Sequence, residues 1–313
     1  MSVRVERYRS HRAPDWNAFV AASRNGTFLL DRGYMDYHGD RFHDHSLVLL
    51  DADARMLALL PANEHAGHLH SHAGLTYGGL VLGPGSGAAD TLALLEAVRG
   101  YLCAHGLAGL HYKTIPWIYH RQPAEDDRYA LFRAGARLSR RDVLSVVPRL
   151  DRLRYQQRRT RGVKSARKAG VEVAESSDYA GFWQILAENL KARHGVAPVH
   201  SLLEIELLHA RFPHAIRLFT ARAGGAMVAG AVIYESERVA HVQYISANEA
   251  GRRAHALDLL FDALLTGTYA DKAYFDFGIS NEQAGQVLNP GLIEQKEGFG
   301  ARSVVHDYYE LTA

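Results

Sequence analysis

Leu110-His-Tyr-Lys-Thr-Ile115 and Phe275-Asp-Phe-Gly278 are the stretches whose reading decides the fold. Each reads as a short strand, with His111 as the second residue of the first and Asp276 as the second residue of the second. His111 and Asp276 lie 165 residues apart, as do Gly135-Ala-Arg137 and Gly300-Ala-Arg302, Asp142 and Asp307, and Thr76 and His241. One offset held through strand, helix and strand argues for a duplicated chain. Shared patterning rules alone make two α/β units look alike, but they do not repeat Gly-Ala-Arg in register.

Working outward, both halves give the same order of elements. In the first, Val3–Tyr8 alternates like a strand, and Pro14–Ala22 reads as a helix with proline in its first turn. Ser46–Asp51 and Met56–Ala62 flank a hairpin turn, and Leu75–Leu82 is a further strand closed by Gly83-Pro-Gly-Ser-Gly87. Ala88–His105 has helical spacing. In the second half Val171–Ala174 is a strand, and Asp178 caps a helix to Arg193. Ser201-Leu-Leu-Glu204 is a capping box. Strands at Ile216–Ala221, Ala226–Tyr234 and Val239–Ser246 precede a helix over Ala254–Tyr269 and a strand over Ala273–Ile279. Between the halves, 149–170 carries nine Arg and Lys side chains. It reads as a linker helix, either solvated or contacting a phosphate backbone.

Composition sets the class. The 313 residues suit two domains, and a net charge of +2 gives no global field for nucleic acid or membrane. The single cysteine, Cys103, excludes an internal disulfide. No apolar run approaches the roughly 20 residues of a membrane span, and the start shows no secretory leader, so a cytoplasmic protein is expected.

The ordered set of elements resembles the GNAT acyltransferase fold. Two such halves joined by a basic helix, with Phe275-Asp-Phe-Gly278 and Lys296-Glu-Gly-Phe-Gly300 near the end, resemble its FemAB-like branch. The resemblance implies an α/β class with a mixed, mostly antiparallel sheet, splayed and flanked by helices, in each of two tandem GNAT-like domains. The expected boundaries are 1–148 for a scaffold and acceptor wall, 149–170 for the linker helix and 171–313 for the donor domain. The resemblance also implies that the donor, an acyl-CoA, pairs its pantetheine with the strand at Ile245, Ser246 and Ala247. Its diphosphate would meet the helix entry at Gly251, Arg252, Arg253 and Ala254, with Asn281 nearby. Backbone N–H groups at a helix start suit an anion. The stretch Gly251-Arg-Arg-Ala-His-Ala256 departs from the usual loop: it lacks the leading Gln or Arg and has Ala for the middle Gly.

Amide formation needs a base for the amine and an acid for the leaving group. His241 is the candidate base, Tyr244 the candidate acid, and Asp276 the acid that must be paired or face a cavity. Strand alternation places His241, Gln243 and Ile245 on one face and Val242, Tyr244 and Ser246 on the other. Candidate acceptor contacts are Tyr34, Tyr37, His38 and Tyr77 in the first half and His200, Gln243, Glu282 and Lys296 in the second. His68-Leu-His-Ser-His72 puts three imidazoles on one strand face, but no cysteine joins them and no metal is expected. The leading expectation is an acyl-CoA-dependent N-acyltransferase acting on a small amine, for instance a nucleotide-linked amino sugar of surface-polysaccharide synthesis. A second is an aminoacyl-tRNA-dependent ligase acting on a peptide or cell-wall precursor, which would bring tRNA as a partner. A third is a binding module with a dead transferase fold.

Overall fold

The computed structural model describes residues 2–313. The chain divides into two compact units: one holds the residues up to Asp142 with Gln283–Gln286 and Val305–Ala313, the other Val143–Glu282 and Val287–Val304.

The first unit contains β1 (Arg4–Arg7), α1 (Ala13–Ala22), α2 (Arg32–Met35), β2 (Leu47–Leu50), β3 (Met56–Leu60), β4 (Asn63–His65), β5 (His68–His70), β6 (Val81–Leu82), α3 (Ala88–Ala104), β7 (Gly109–Lys113) and α4 (Asp126–Arg133). Strand β8 (Arg137–Pro148) starts there and ends in the second unit. The second unit continues with α5 (Gln157–Lys168), β9 (Glu172–Ser176), α6 (Tyr179–His194), α7 (Leu202–Arg211), β10 (Ile216–Ala223), β11 (Ala226–Glu235), β12 (Val239–Ala247), α8 (Glu249–Arg253), α9 (Ala256–Ala263), β13 (Tyr274–Ile279), β14 (Asn281–Glu282), β15 (Val287–Leu288) and α10 (Pro290–Glu297). Strand β16 (Arg302–Thr312) closes the chain and lies mostly in the first unit. No helix among the described residues is long and apolar enough to cross a membrane.

In the second unit the strands run β8-β13-β12-β11-β10-β9, antiparallel throughout except for β12 with β13. Helix α9 and the π-helical turn Leu264–Thr268 after it lay Leu260, Phe261 and Leu264 on one face of this sheet, where Phe275, Phe277 and Phe299 meet Phe261 at ring separations of 4.9–6.2 Å. Each fully buried side chain of this size contributes roughly 1.5–3 kcal/mol. The basic segment expected to link the halves belongs to this core. Val163 and Ala166 of α5 are buried in it, and Arg159 and Arg167 pair with Asp258 and Asp262 of α9 at 2.5 and 2.7 Å. Gly162 permits the approach, because a Cβ there would lie 1.9 Å from the Asp258 carboxylate. The predicted caps form as read: Asp178 accepts from the Gly181 amide, and Ser201 and Glu204 make the reciprocal box.

In the first unit β1-β2-β3-β6 form one sheet, and β4, β5, β7 and β16 pair in turn beside it. The strand expected over Leu75–Leu82 is realised only at Val81–Leu82. The preceding chain folds back instead. Gly78 passes so close to the Ser71 carbonyl that a Cβ would lie 1.8 Å from it, and Gly79 takes φ +88° beside the Tyr112 hydroxyl. This loop breaks the repeat register. The parallel pair of the second unit ends at His241 opposite Asp276, and that of the first ends at His70 opposite His111. His70, not Thr76, is therefore the counterpart of His241.

Candidate active site

The site of interest lies in the second unit, where two parallel strands part. β12 and β13 are in register for three residues, Val239–His241 against Tyr274–Asp276. Beyond Asp276 the register breaks, Gly278 takes φ +74°, and β13 resumes against β8 at Ile279. The last pair before the break is the pair singled out by sequence. His241 Nδ1 and Asp276 Oδ2 are 2.8 Å apart, and the other carboxylate oxygen accepts from the Gly278 amide at 2.7 Å. Asp276 is fully buried and His241 is 8% exposed. With Nδ1–H donating to the carboxylate, the ring keeps Nε2 as its basic atom.

The faces of β12 differ from simple alternation. A β-bulge at Gln243 leaves Val242 opposite Ile233 and Tyr244 opposite Val232. His241 and Tyr244 pair with Tyr234 and Val232, two residues apart on β11, so they share one face. Val242 and Ile245 share the other. The expected grouping of His241 with Ile245 is thus overturned by one extra residue, which reverses the alternation beyond it. The Tyr244 hydroxyl accepts from the His200 amide at 3.2 Å and is bonded to His200 Nδ1, while Trp183 donates to the His200 carbonyl at 3.0 Å. His200 and Tyr244 are accordingly brought together, both buried.

On the Val242–Ile245 face the parting strands leave a cavity of about 440 Å³. Its apolar wall includes Val242, Leu257, Phe261, Phe277 and Phe299. Lys296, from the last turn of α10, enters it and donates to the carbonyls of Gly278 and Ile279 at 3.0 and 2.5 Å. Burial brings the Lys296 pKa down to about 8, against the opposing pull of Asp276. Asn189 and Arg193 of α6, Arg252 of α8 and Gln295 also line the cavity. Asn189, Arg193 and Gln295 were not among the sequence candidates. Their signal was present: Leu186, Asn189, Leu190 and Arg193 recur at helical spacing, with polar residues interrupting an otherwise apolar stripe.

The expected donor residues divide. Ile245, Ser246 and Ala247 line the cavity, as does Arg252. Ser246 Oγ and the Ala247 carbonyl accept from Asn189 at 2.6 and 2.8 Å, and Arg252 also donates to the Ala247 carbonyl at 2.6 Å. The Gly251 amide is taken by the Asn248 side chain at 2.9 Å, which caps α8. Gly251 itself sits where a Cβ would meet the Val228 carbonyl at 2.2 Å. Arg253 pairs with Glu249, and Ala254 closes α8 by donating to the Ala250 carbonyl at 2.9 Å. Asn281 accepts from the Val143 amide at 2.7 Å and so secures β8, and Glu282 accepts from Asn289 at 2.7 Å.

The remaining candidates lie in the first unit. Tyr34 and Tyr37 contact edge to face at 5.5 Å, and Tyr37 stacks on His38 at 4.2 Å. Tyr77 is buried, hydroxyl to hydroxyl with Thr27 at 2.8 Å. His68 and His70 lie on β5, but His72 has left the strand with φ +38° and stacks on His38. The expected row of three imidazoles on one strand is therefore two. Among the described residues no group of three or more His, Cys, Asp or Glu is placed to hold a metal ion.

Comparison with known proteins gives the following. Residues 149–284 match the family model described as acetyltransferase (GNAT) domain. No curated protein matches the chain. Among solved structures it is similar to FemX, at 12% identity and TM-score 0.69, over 100% of this chain and 98% of that one. It is also similar to L-PGS from Bacillus licheniformis, at 12% identity and TM-score 0.63, over 96% and 91% of the two chains. A tandem GNAT protein from the clavulanic acid biosynthesis pathway follows at 12% identity and TM-score 0.53, over 99% and 98%. At such identities the likeness is one of fold.

Proposed function

Starting from a chain with a GNAT-superfamily, FemAB-like fold, we propose that the second unit transfers an acyl group from a coenzyme A thioester to the amine of a small acceptor. The observation that carries this reading is the buried His241–Asp276 pair at the point where β12 and β13 part, with His241 and Tyr244 on one face of β12 and an apolar cavity lined by Lys296 on the other, so that the amine would approach from the first face and the acyl group from the second. The cavity suits an acyl chain, and Arg193 and Arg252 on its wall are the side chains that would hold the donor's phosphates. The donor supplies an activated carbonyl, and the chain's own residues do the rest. Asp276 holds His241 in the tautomer whose Nε2 takes the proton from the attacking amine. Lys296 donates hydrogen bonds to the carbonyl oxygen as it gains charge. Tyr244, on the same strand face as His241 and oriented by His200, protonates the leaving sulfur. A nucleotide-linked amino sugar is the acceptor proposed, by analogy of fold alone.

One observation favours a second reading. With its Gly251 amide taken by Asn248, the entry to α8 offers a poorer cradle for a diphosphate. A donor without a diphosphate at that point, an aminoacyl ester of tRNA, fits this arrangement, and the basic α5 would meet its backbone. Thermal melting separates the readings. A ligand at 100 times its dissociation constant adds about 2.7 kcal/mol of stability. A shift with acetyl-CoA that is lost in Arg193→Ala and Arg252→Ala supports the first. A shift only with aminoacyl-tRNA replaces it with the second. No shift with either leaves a binding module and sinks both.

A further inference from the structure

The first unit has a cavity of its own, about 420 Å³, on the sheet face formed by β5, β7 and β16. That is within the range of small-molecule sites, on the order of 300–1,000 Å³. The chemistry above makes no use of it.

Lys113 lies in its floor. The ammonium donates to the Leu75 carbonyl and, at 3.4 Å, to that of His72. Besides burial, the Arg140 guanidinium lowers its pKa and the Asp142 carboxylate raises it. The nearby carboxylate, Asp142, is fully buried and gripped by the Arg140 guanidinium at 2.8–3.1 Å. Arg140 also lies 4.6 Å over the Tyr308 ring, with a third of its side chain exposed. Glu310, at the rim, is paired with Arg137. Two cations, Lys113 and Arg140, therefore share one carboxylate, Asp142, and Lys113 also lies 5.9 Å over the Tyr308 ring. Burial lowers the Lys113 pKa to about 8, so the ammonium persists at neutral pH. A buried cation calls for an anion.

A second observation points into the same space. His72 lines the cavity, is 2% exposed, and has no hydrogen-bond partner for Nδ1. Its φ of +38° is a left-handed conformation that costs a non-glycine residue on the order of 1–3 kcal/mol. Burial holds His70 and His72 at about 4 and 3, so both rings are neutral and offer hydrogen bonds rather than charge. We propose that this cavity binds the oxyanion end, phosphate or carboxylate, of a small molecule, with Lys113 and Arg140 supplying the counter-charge and His72 Nδ1 a hydrogen bond. The site occupies the place where the second unit carries its His241–Asp276 pair, and it stands independently of the reading of that unit.

Calorimetric titration of the full chain at pH 7 with inorganic phosphate and, separately, with succinate tests this. The expected result is saturable one-to-one binding of at least one probe, weakened about tenfold or more in Lys113→Met and in Arg140→Ala. The preferred probe names the anion. Arg140 is partly exposed, so its variant answers the question even if Lys113→Met fails to fold. Arg55→Ala, on an exposed turn outside the cavity, should bind the probe as the parent does. Binding unchanged in Arg140→Ala, binding lost in Arg55→Ala, or no saturation with either probe up to about 10 mM would overturn the proposal.

Discussion

A carboxylate such as Asp276, fully buried between two phenylalanines, needs partners for its charge, and His241 and the Gly278 amide are two of them. That arrangement fixes the orientation of the His241 ring. His241→Ala should lower turnover by about 10²–10⁴-fold, the range for loss of a general base, with an unchanged far-UV spectrum. Asp276→Asn should lower it too, by misplacing the ring proton, and unchanged turnover in both would remove the pair from the mechanism. Lys296 gives a test that needs no substrate. Its pKa falls from 10.5 to about 8 on burial, so between those values the unfolded chain holds a proton that the folded chain has released. Stability contributed by this residue therefore rises with pH across that window. At about 1.4 kcal/mol per pH unit the effect is bounded by about 3 kcal/mol. Urea titrations from pH 8 to 10.5 should show a parent that gains on Lys296→Met, and parallel curves would contradict the assignment. The sequence made His241, Asp276 and Lys296 legible because each is a polar residue in an apolar run. Arg193 and Asn189 escaped because the helical spacing they share with Leu186 and Leu190 does not tell a cavity wall from a solvated face.

At the scale of elements, caps and strand identities were legible because they depend on neighbours in sequence. The Asp178 cap, the Ser201–Glu204 box and the β13 strand fall where read. The bulge at Gln243 and the loop before β6 were not, since both answer to partners distant in sequence. Two substitutions follow. Deleting Gln243 would restore plain alternation and, with the β11 pairing kept, leave His241 and Tyr244 opposite Tyr234 and Val232 on one face. Such a deletion should keep measurable turnover where the chain still melts cooperatively, and turnover lost in a chain that melts as the parent does would show that the bulge itself, not the shared face, is what the site needs. Gly251→Ala places a methyl 2.2 Å from the Val228 carbonyl, so β11 and α8 must separate. Overpacking of this kind costs about 1–3 kcal/mol, measurable as a lowered denaturation midpoint.

Over the whole molecule, the duplication was legible but the path of its closing strands was not. By the 165-residue offset β8 and β16 are equivalents, and a plain tandem would pair each with the strand of its own half. Instead Tyr308–Thr312 pair with β7, and Leu144–Pro148 pair with β13. Nothing in the alternation of a strand says which neighbour it will choose, because both edges present the same backbone groups. The exchange makes the chain's last residues part of its first unit. Asp307 is buried there, accepting from Arg128 and Arg141 at 2.6 Å each; the Thr114 amide donates to its carbonyl at 3.0 Å, and Leu311 packs in the core. Cutting the chain after Val304 would leave Arg128 without its buried partner and β7 with an open edge. The expected outcome runs against the position of the cut: the N-terminal unit loses its structure while the second unit keeps its own. Limited proteolysis should then release fragments from the first 142 residues and spare the segment from Val143 to Glu282. At 2–4 °C per kcal/mol, loss of these contacts should lower the first transition by roughly 10 °C or more. If cleavage instead began between Glu172 and Ile279, the closing strand would belong to the second unit, and the exchange would be refuted.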